Sequence, residues 1–197
     1  MNYTRQWDPS VERLIEEVRS GQWGSVRSAV GYYNKGILNN GGHLIDLLLR
    51  LFGPLEVVAA GTPVYDFWES DPTVPGLLQS VEGCIPVCLA PSHAKDYALF
   101  ELELICEMGL VRMRNGGMEW ETRHAKISQN FDGFRELSDL KSFEGDYMQA
   151  MTLAVNEIYS YLLHGTATRS TGEHAIAIQT ICEHLLNVSI HTTHSNN

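Results

Sequence analysis

Residues 32–53 read YYNKGILNNGGHLIDLLLRLFG, and the second half of this stretch predicts a buried helix. Its apolar residues repeat at helical spacing on two adjacent stripes: Leu44, Leu47, Leu48 and Leu51, and beside them Ile45, Leu49 and Phe52. A helix that is apolar around most of its circumference belongs in the core. We therefore expect the rest of the chain to pack around it.

The same helix carries one line of polar residues. Asn39, His43, Asp46 and Arg50 follow one another at intervals of four, three and four residues, so a helix that begins near Asn39 holds them along one edge. Buried polar side chains need hydrogen-bond partners. This edge is therefore either a structural network or a functional site, and the spacing alone leaves both interpretations open.

The stretch resembles a signature of the Gfo/Idh/MocA family of NAD(P)-dependent oxidoreductases, in the substrate-binding half that follows their Rossmann domain. A Tyr-x-Lys-Gly before the helix and a Leu-Phe-Gly-Pro after it carry the similarity. The opening NYTRQWDP resembles the point where the chain leaves the Rossmann domain, and TGEHAIAIQTICEHLL resembles the closing helix of the family. The resemblance is strong over residues 32–54 and loose elsewhere.

The resemblance implies roles for three residues, and the strand predicted before the helix adds two more. His43 would act as a general acid/base or bind a substrate hydroxyl, and Asp46 would orient its imidazole or stabilise its charge. Many members have an aspartate where this chain has Asn39; an amide binds a hydroxyl but exchanges no proton at neutral pH, so proton transfer falls to His43. Tyr33 and Lys35 are expected at the mouth of the helix as further substrate-binding residues, with Lys35 either contacting an anionic substrate group or lying in solvent.

The cofactor implied by the resemblance is NAD or NADP, bound by a nucleotide domain outside these residues. The 17 glycines never form the G-x-G-x-x-G pattern that binds a dinucleotide pyrophosphate. The Gly41-Gly42 pair is followed by Asp46, whose carboxylate would repel a phosphate at that helix start. The family's Glu-Lys-Pro motif, which holds its catalytic lysine, is also not found. We expect these residues alone to be inactive and to bind no dinucleotide tightly.

Length and composition are those of a soluble globular domain. The 197 residues fit a single domain over residues 1–197, and a charged fraction of 19% is ordinary for such a domain. A net charge of −10 argues against nucleic acid or an anionic membrane surface as partner, because no basic field attracts phosphates. No segment has the roughly 18 apolar residues of a membrane helix, and the N-terminus has no signal-peptide core. We expect a cytoplasmic protein.

The four cysteines predict reduced thiols and no metal site. A chain of this length without an export signal gives no reason to expect disulfides. Cys84 and Cys88 stand near each other but supply too few ligands for a four-coordinate zinc ion.

The remaining sequence predicts strands between helices at both ends. The first helix is expected to begin at Asp8-Pro9 and to end at Gly21, after an extended opening segment. The predicted strands cover residues 25–33, 55–65, 79–90 and 97–106, and the predicted final helices cover residues 145–163 and 172–190. Residues 66–78 are interpreted as a surface excursion and residues 128–142 as irregular.

A hairpin is predicted at Asn115-Gly116. A two-residue turn there would place Arg112 opposite Glu119 and Val111 opposite Trp120.

This order of elements is not the strict alternation of strand and helix that a doubly wound fold requires. We predict an α+β fold, an open and mostly antiparallel sheet of five or six strands with helices packed on one face. The other sheet face needs a cover, and the resemblance implies that a second subunit supplies it. We therefore expect a homodimer through the sheet.

Three functions are left open. The first is the substrate-binding and dimerisation domain of an oxidoreductase acting on a hydroxyl of a sugar, sugar acid, nucleotide sugar or cyclitol. The second is a stand-alone ligand-binding or assembly module of the same ancestry without redox activity. The third is an unrelated lyase or isomerase that uses His43 and Asp46 as an acid/base pair.

Overall fold

The computed structural model describes the backbone of residues 3–194 and the side chains of residues 3–189. Within that range the helices are α1 (Pro9–Arg19), α2 (Gly42–Phe52), α3 (Ala150–His164) and α4 (Gly172–His194). The strands are β1 (Val26–Tyr33), β2 (Leu55–Ala60), β3 (Val64–Trp68), β4 (Asp71–Thr73), β5 (Gly76–Ser80), β6 (Pro86–Pro91), β7 (Phe100–Cys106), β8 (Gly109–Arg114), β9 (Glu119–Ile127), β10 (Arg135–Leu137) and β11 (Lys141–Glu144).

Nine of these strands form one open sheet in the order β10-β9-β8-β7-β1-β6-β5-β2, with β11 also paired to β9. The pairing is antiparallel throughout except between β1 and β6. The strands β3 and β4 form a separate hairpin. The structure confirms the predicted α+β class and the open, mostly antiparallel sheet, but the predicted strand number was too low.

The helix α2 lies in the core, as its apolar stripes predict. Leu44, Leu47 and Leu48 have no solvent exposure. The helix packs directly on β1 at Gly31, where a larger residue would collide with it, because an added Cβ atom would lie 2.5 Å from Cδ2 of Leu44. The close approach of α2 to the middle of the sheet fixes the position of the polar edge.

The helices near both ends of the chain form as predicted, but the segment before α1 differs from the prediction. The side chain of Asp8 caps α1 by accepting a hydrogen bond from the Ser10 amide at 2.9 Å. The opening segment is not extended: residues Thr4–Trp7 form a 3-10 turn whose last three residues are buried. It turns back because Arg5 and Gln6 bind groups far along the chain, which no local pattern reveals.

The interpretation of residues 66–78 as a surface excursion is wrong. They contain the end of β3, all of β4 and the start of β5, and Asp66, Asp71 and Thr73 are buried. Their polar side chains bind backbone amides of the segment before α2, so they are structural. The stretch 128–142 likewise contains β10 and the start of β11.

The predicted hairpin forms with a register shifted by two residues. Arg114 faces Glu119 and Met113 faces Trp120, whereas Arg112 faces Glu121. The connection is longer than two residues because the loop is anchored elsewhere: the Trp120 indole donates to the carbonyl of Gly117 at 3.1 Å, and Arg5 binds the carbonyl of Gly116. A shift by two keeps each side chain on its predicted face.

Among the described helices, none combines the length and the apolar character that crossing a membrane requires.

Candidate functional site

The polar edge begins in a π-helical turn, Gly36–Gly41, which leads directly into α2. Asp71 holds this turn from β4: its Oδ1 accepts from the Leu38 amide at 2.9 Å and its Oδ2 from the Asn39 amide at 3.1 Å. Gly36 has a φ of +86°, and an added Cβ would collide with Asp71, 2.7 Å from its carbonyl oxygen. Only glycine fits this position without strain.

A second aspartate, Asp66, also binds the backbone at the start of the π-helical turn. Asp66 on β3 accepts a hydrogen bond from the Lys35 amide at 2.9 Å. The Thr73 hydroxyl donates to Asp66 at 2.9 Å and accepts from the Gly36 amide at 2.9 Å. The β3–β4 hairpin therefore satisfies the backbone amides that a π-helical start leaves open.

His43 lies in the first turn of α2 and is mostly shielded from solvent. Its Nδ1 is buried and has no hydrogen-bond partner among the described residues. The ring of Tyr3 stands edge-on to the imidazole, with ring centroids 5.4 Å apart and planes at 78°. Burial, with a smaller contribution from the charge of Arg5, lowers the pKa of His43 to about 4. The imidazole is therefore neutral at pH 7, and its buried Nδ1 has no partner among the described residues.

Asp46 is fully buried and does not pair with His43. Its Oδ1 accepts from Gln6 Nε2 at 2.8 Å and from His174 Nε2 at 2.7 Å, while its Oδ2 has no partner within the described part of the chain. Burial raises the pKa of Asp46, and the hydrogen bonds from His174 and Gln6 oppose that shift. The predicted histidine partner is thus corrected: the imidazole that Asp46 binds belongs to α4.

Arg5, in the 3-10 turn before α1, is a buried cation near His43. Its guanidinium donates two hydrogen bonds to the Gly116 carbonyl, at 3.1 and 2.7 Å, and stacks 3.7 Å over the ring of Phe100. Only 8% of the residue is exposed, and burial lowers the pKa of Arg5 from its usual value. This buried cation lies close enough to His43 to disfavour its protonation.

The far end of the polar edge is a structural network. Arg50 donates to the carbonyl of Arg5 at 3.1 Å and forms an ion pair with Glu12 of α1. Arg169 also binds Glu12, at 3.2 Å, and donates to the carbonyl of Gln6 at 2.9 Å. The Asp46–Arg50 end of the edge is thus a structural network, and at the other end His43 Nδ1 has no partner among the described residues.

Three residues were predicted to bind substrate, and the structure places Tyr33 apart from Lys35 and Asn39. Tyr33 is fully buried, and its hydroxyl donates to the Val74 carbonyl at 2.7 Å and accepts from the Val74 amide at 2.9 Å. This arrangement makes Tyr33 a core residue rather than part of the mouth of a site. Lys35 is partly exposed, with its Nζ 5.5 Å over the ring of Phe67, and Asn39 donates to the Lys35 carbonyl at 3.2 Å. Lys35 and Asn39 remain available as neighbours at the start of the π-helical turn.

Sequence reasoning missed four residues of this site: Tyr3, Arg5, Gln6 and His174. The contacts of Gln6 and His174 with Asp46 span 40 and 128 residues of the chain. No spacing pattern reports contacts of this length. One signal could have pointed to these residues. The opening segment and the TGEH motif, in which they lie, both belong to the parts of the chain that carry the family resemblance.

The described side chains include no group of three or more His, Cys, Asp or Glu residues placed to hold a metal ion. The free thiols of Cys106 and Cys182 are buried, and burial raises the pKa of Cys182 to about 12.

Comparison with known proteins identifies the fold. No protein-family model matches the sequence, and no curated protein matches it significantly. Solved structures match it along nearly its whole length. KijD10, a 3-ketoreductase from Actinomadura kijaniata solved with NADP, is 15% identical at a TM-score of 0.71, over 95% of this chain and 59% of its own. A protein described as a myo-inositol dehydrogenase from Sinorhizobium meliloti is 15% identical at a TM-score of 0.65, over 96% and 62%.

The same fold occurs in a protein of a different kind. Gal80p from Saccharomyces cerevisiae, solved as a super-repressor mutant, is 10% identical at a TM-score of 0.70, over 96% of this chain and 63% of its own. The chain spans about 60% of the length of the solved structures described above. At these identities the likeness establishes the fold, and it agrees with the fold that the sequence resemblance implies.

Proposed function

We propose that this chain forms, as a single domain, the substrate-binding and dimerisation domain of a Gfo/Idh/MocA-type oxidoreductase. The proposed reaction interconverts a hydroxyl and a carbonyl group on a sugar, nucleotide sugar or cyclitol. The fold shared with a 3-ketoreductase and with a myo-inositol dehydrogenase supports this substrate range. A role in sugar metabolism in the cytoplasm follows from the same proposal.

The observation that carries the proposal is the state of His43. His43 is a neutral imidazole at the start of a rigid helix, and its Nδ1 has no partner among the described residues, which supports a role in accepting the proton of a substrate hydroxyl. Asn39 and Lys35 are the proposed substrate ligands, because both lie in the segment that enters α2 and keep part of their surface exposed. Asp46 supports the helix start rather than acting on substrate.

The proposed cofactor is NAD or NADP, held by a nucleotide domain that these residues do not include. The cofactor accepts or donates the hydride at the reacting carbon, and His43 handles the proton at the oxygen. An exposed apolar surface supports a further domain. The helix α3 buries only Ala150 and Ala154, next to Trp7, and exposes Val155, Ile158 and Leu162 by 57%, 51% and 73%. We propose that the nucleotide domain covers this surface.

A second candidate function is a ligand-binding or assembly module of the same ancestry without redox activity. The likeness to Gal80p, described as a super-repressor mutant, favours this alternative. The lyase or isomerase hypothesis is weaker, because Asp46 is fully buried and bound by Gln6 and His174, so that it does not reach a substrate.

The test replaces His43 by alanine in a form of the protein that carries the nucleotide domain. We expect turnover to fall by about 100-fold or more, the usual loss for a general acid/base. The matched control is His184→Ala, which removes an exposed imidazole from α4 and should leave turnover unchanged. Calorimetry of the 197-residue chain with NADH and NADPH should show no saturation at micromolar concentrations.

Two results would contradict the proposal. Normal turnover in a correctly folded His43→Ala protein would remove His43 from the chemistry. Micromolar dinucleotide binding by the 197 residues would show that the assumed division between two domains is wrong. A protein that binds a polyol but turns over none with either cofactor would favour the module without redox activity.

A further inference from the structure

The starting observation is a contact between the first turn of α4 and the first turns of α2. His174 occupies a fixed place at the start of α4, because its amide donates to the Thr171 hydroxyl at 3.2 Å. From there its Nε2 reaches Asp46 Oδ1 at 2.7 Å. The imidazole is 26% exposed, whereas the carboxylate is 1% exposed. The contact therefore lies at the boundary between solvent and core.

The hydrogen bond from His174 is the main interaction that offsets the cost of burying the Asp46 carboxylate. Asp46 Oδ1 receives one further hydrogen bond, from the side-chain amide of Gln6. Asp46 Oδ2 receives none within the described residues. A buried carboxylate is costly unless donors satisfy it, and a bond to an imidazole that can carry charge is stronger than a bond to a neutral amide. Without His174, Asp46 has only Gln6 and must either bind a proton or move.

Tyr3 lies between His174 and His43 and contacts both rings. The Tyr3 ring is 2% exposed and stands edge-on to both imidazoles, with centroid distances of 5.4 Å to His43 and 6.4 Å to His174. Asp46 lies one helical turn after His43 on α2. His174 thus contacts the Tyr3 ring, which borders His43, and the Asp46 carboxylate, which lies one turn further along the same helix.

We propose that His174 is a positioning residue for His43: its hydrogen bond to Asp46 and its contact with Tyr3 keep the His43 imidazole shielded at the start of α2. His174 does not itself contact a reacting group in the proposed chemistry. The inference deepens the proposed function, and it rests on that function for the meaning of His43. The arrangement itself is a property of this chain and is measurable without turnover.

The groups that face this cluster come from three elements. The 3-10 turn contributes Tyr3 and Arg5, and α2 contributes Asp46 and Arg50. The helix α4 contributes His174 and Cys182, and the thiol of Cys182 stays neutral because burial raises its pKa. Arg5 lowers the pKa of His43 whatever occupies position 174, so a change at position 174 acts through shielding.

The experiment follows the proton resonance of the His43 ring through a pH titration of the 197-residue chain by NMR. In wild type we expect a midpoint near 4, as the burial of His43 implies. His174→Phe keeps an aromatic ring but loses the donor, and His174→Ala loses both. Each should raise the midpoint by about one pH unit or more, because water gains access to His43. His174→Gln keeps an amide donor near the Nε2 position and should shift the midpoint less than His174→Ala does.

His184→Ala, which removes an exposed imidazole from the same helix, should leave the His43 midpoint unchanged. An unchanged midpoint in folded His174→Phe and His174→Ala proteins would overturn the proposal. A shift in His174→Gln as large as that in His174→Ala would overturn the role of the hydrogen bond.

Wild type supplies a test that needs no variant, should the variants fail to fold. Nitrogen-15 spectra should show His174 carrying a proton on Nε2, and a neutral ring protonated only on Nδ1 would overturn the proposal. Failure of the His43→Ala turnover test leaves all of these measurements intact, so the two proposals fail separately.

Discussion

At the residue scale, the unusual feature of this molecule is a set of buried polar atoms without partners in the described part of the chain. They are Oε1 of Gln6, Nε1 of Trp7, Oδ2 of Asp8, Nδ1 of His43 and Oδ2 of Asp46. All five lie in the opening segment or in α2. Buried polar groups in proteins are nearly always satisfied, so these atoms are exceptions within the described residues, and two of them, Nδ1 of His43 and Oδ2 of Asp46, belong to the polar edge of α2.

The depressed pKa of His43 predicts a specific dependence of stability on pH. The folded-state pKa of about 4 lies below the ordinary value of 6.5. The stability contributed by the neutral buried imidazole is therefore fully present above pH 6.5 and is lost as the pH falls towards 4. His43→Asn should reduce the loss of unfolding free energy between pH 7 and pH 4 by up to about 3 kcal/mol relative to wild type.

Urea unfolding at a series of pH values measures this difference, with His184→Asn as the exposed control. The comparison must be between variants, because burial raises the pKa of Asp8, Asp46 and Asp71. Their stability contributions have the opposite sign: they are present below the ordinary aspartate pKa and are lost as the pH rises through the raised values. Equal pH slopes in wild type and His43→Asn would show that His43 is not shielded in solution.

At the element scale, the β3–β4 hairpin decides how α2 begins. Its aspartates bind the amides of Lys35, Leu38 and Asn39, and this holds a π-helical turn where the sequence predicts an ordinary helix start. A π-helical turn places side chains differently from an α-helical turn and is frequent at functional sites. The hairpin therefore sets the direction from which Asn39 and Lys35 approach the His43 end of the edge.

Gly36→Ala tests this support. The substitution forces both a positive φ on alanine and a collision with Asp71. Gly165→Ala is the matched control, because Gly165 also has a positive φ, of 65°, but an added Cβ meets nothing within 4 Å. We expect Gly36→Ala to lower the free energy of unfolding by roughly 2 kcal/mol more than Gly165→Ala, the excess coming from the displaced Asp71. Similar losses in urea unfolding for the two variants would show that Asp71 does not constrain the turn.

At the scale of the whole molecule, the sheet has one face packed on the helices and one without a cover among the described residues. On the second face charged residues pair across strands: Arg112 with Glu103 and Glu121, and Arg114 with Glu101 at 2.9 Å. Apolar residues lie among them, including Ile105, which is 41% exposed. The face thus combines charges that are paired within the chain with exposed apolar residues, and these apolar residues need a cover.

We expect the chain to form a homodimer through this face. Leu99→Lys and Ile105→Lys should each shift the protein towards monomer, because a lysine placed in the interface would be desolvated without a partner. Ile176→Lys is the control: Ile176 is 67% exposed on α4, which packs on the other face of the sheet, and it should tolerate the charge. Sedimentation velocity over a range of concentrations measures the shift. A wild-type chain that is monomeric throughout would contradict the prediction.

Local sequence patterns were enough to predict the helices, the strands β1 and β7, the β8–β9 hairpin and the α+β class, but the predicted strands 55–65 and 79–90 each merge parts of two strands. Each correct prediction depends on interactions between residues close in the chain: apolar periodicity for α2, the Asp8 cap for α1 and the alternation of buried residues in β7. Tertiary contacts set which histidine Asp46 binds, the burial of Tyr33 and the register of the β8–β9 hairpin. These depend on contacts between distant segments, such as the 128 residues between Asp46 and His174, and local patterns carry no information about which distant groups meet.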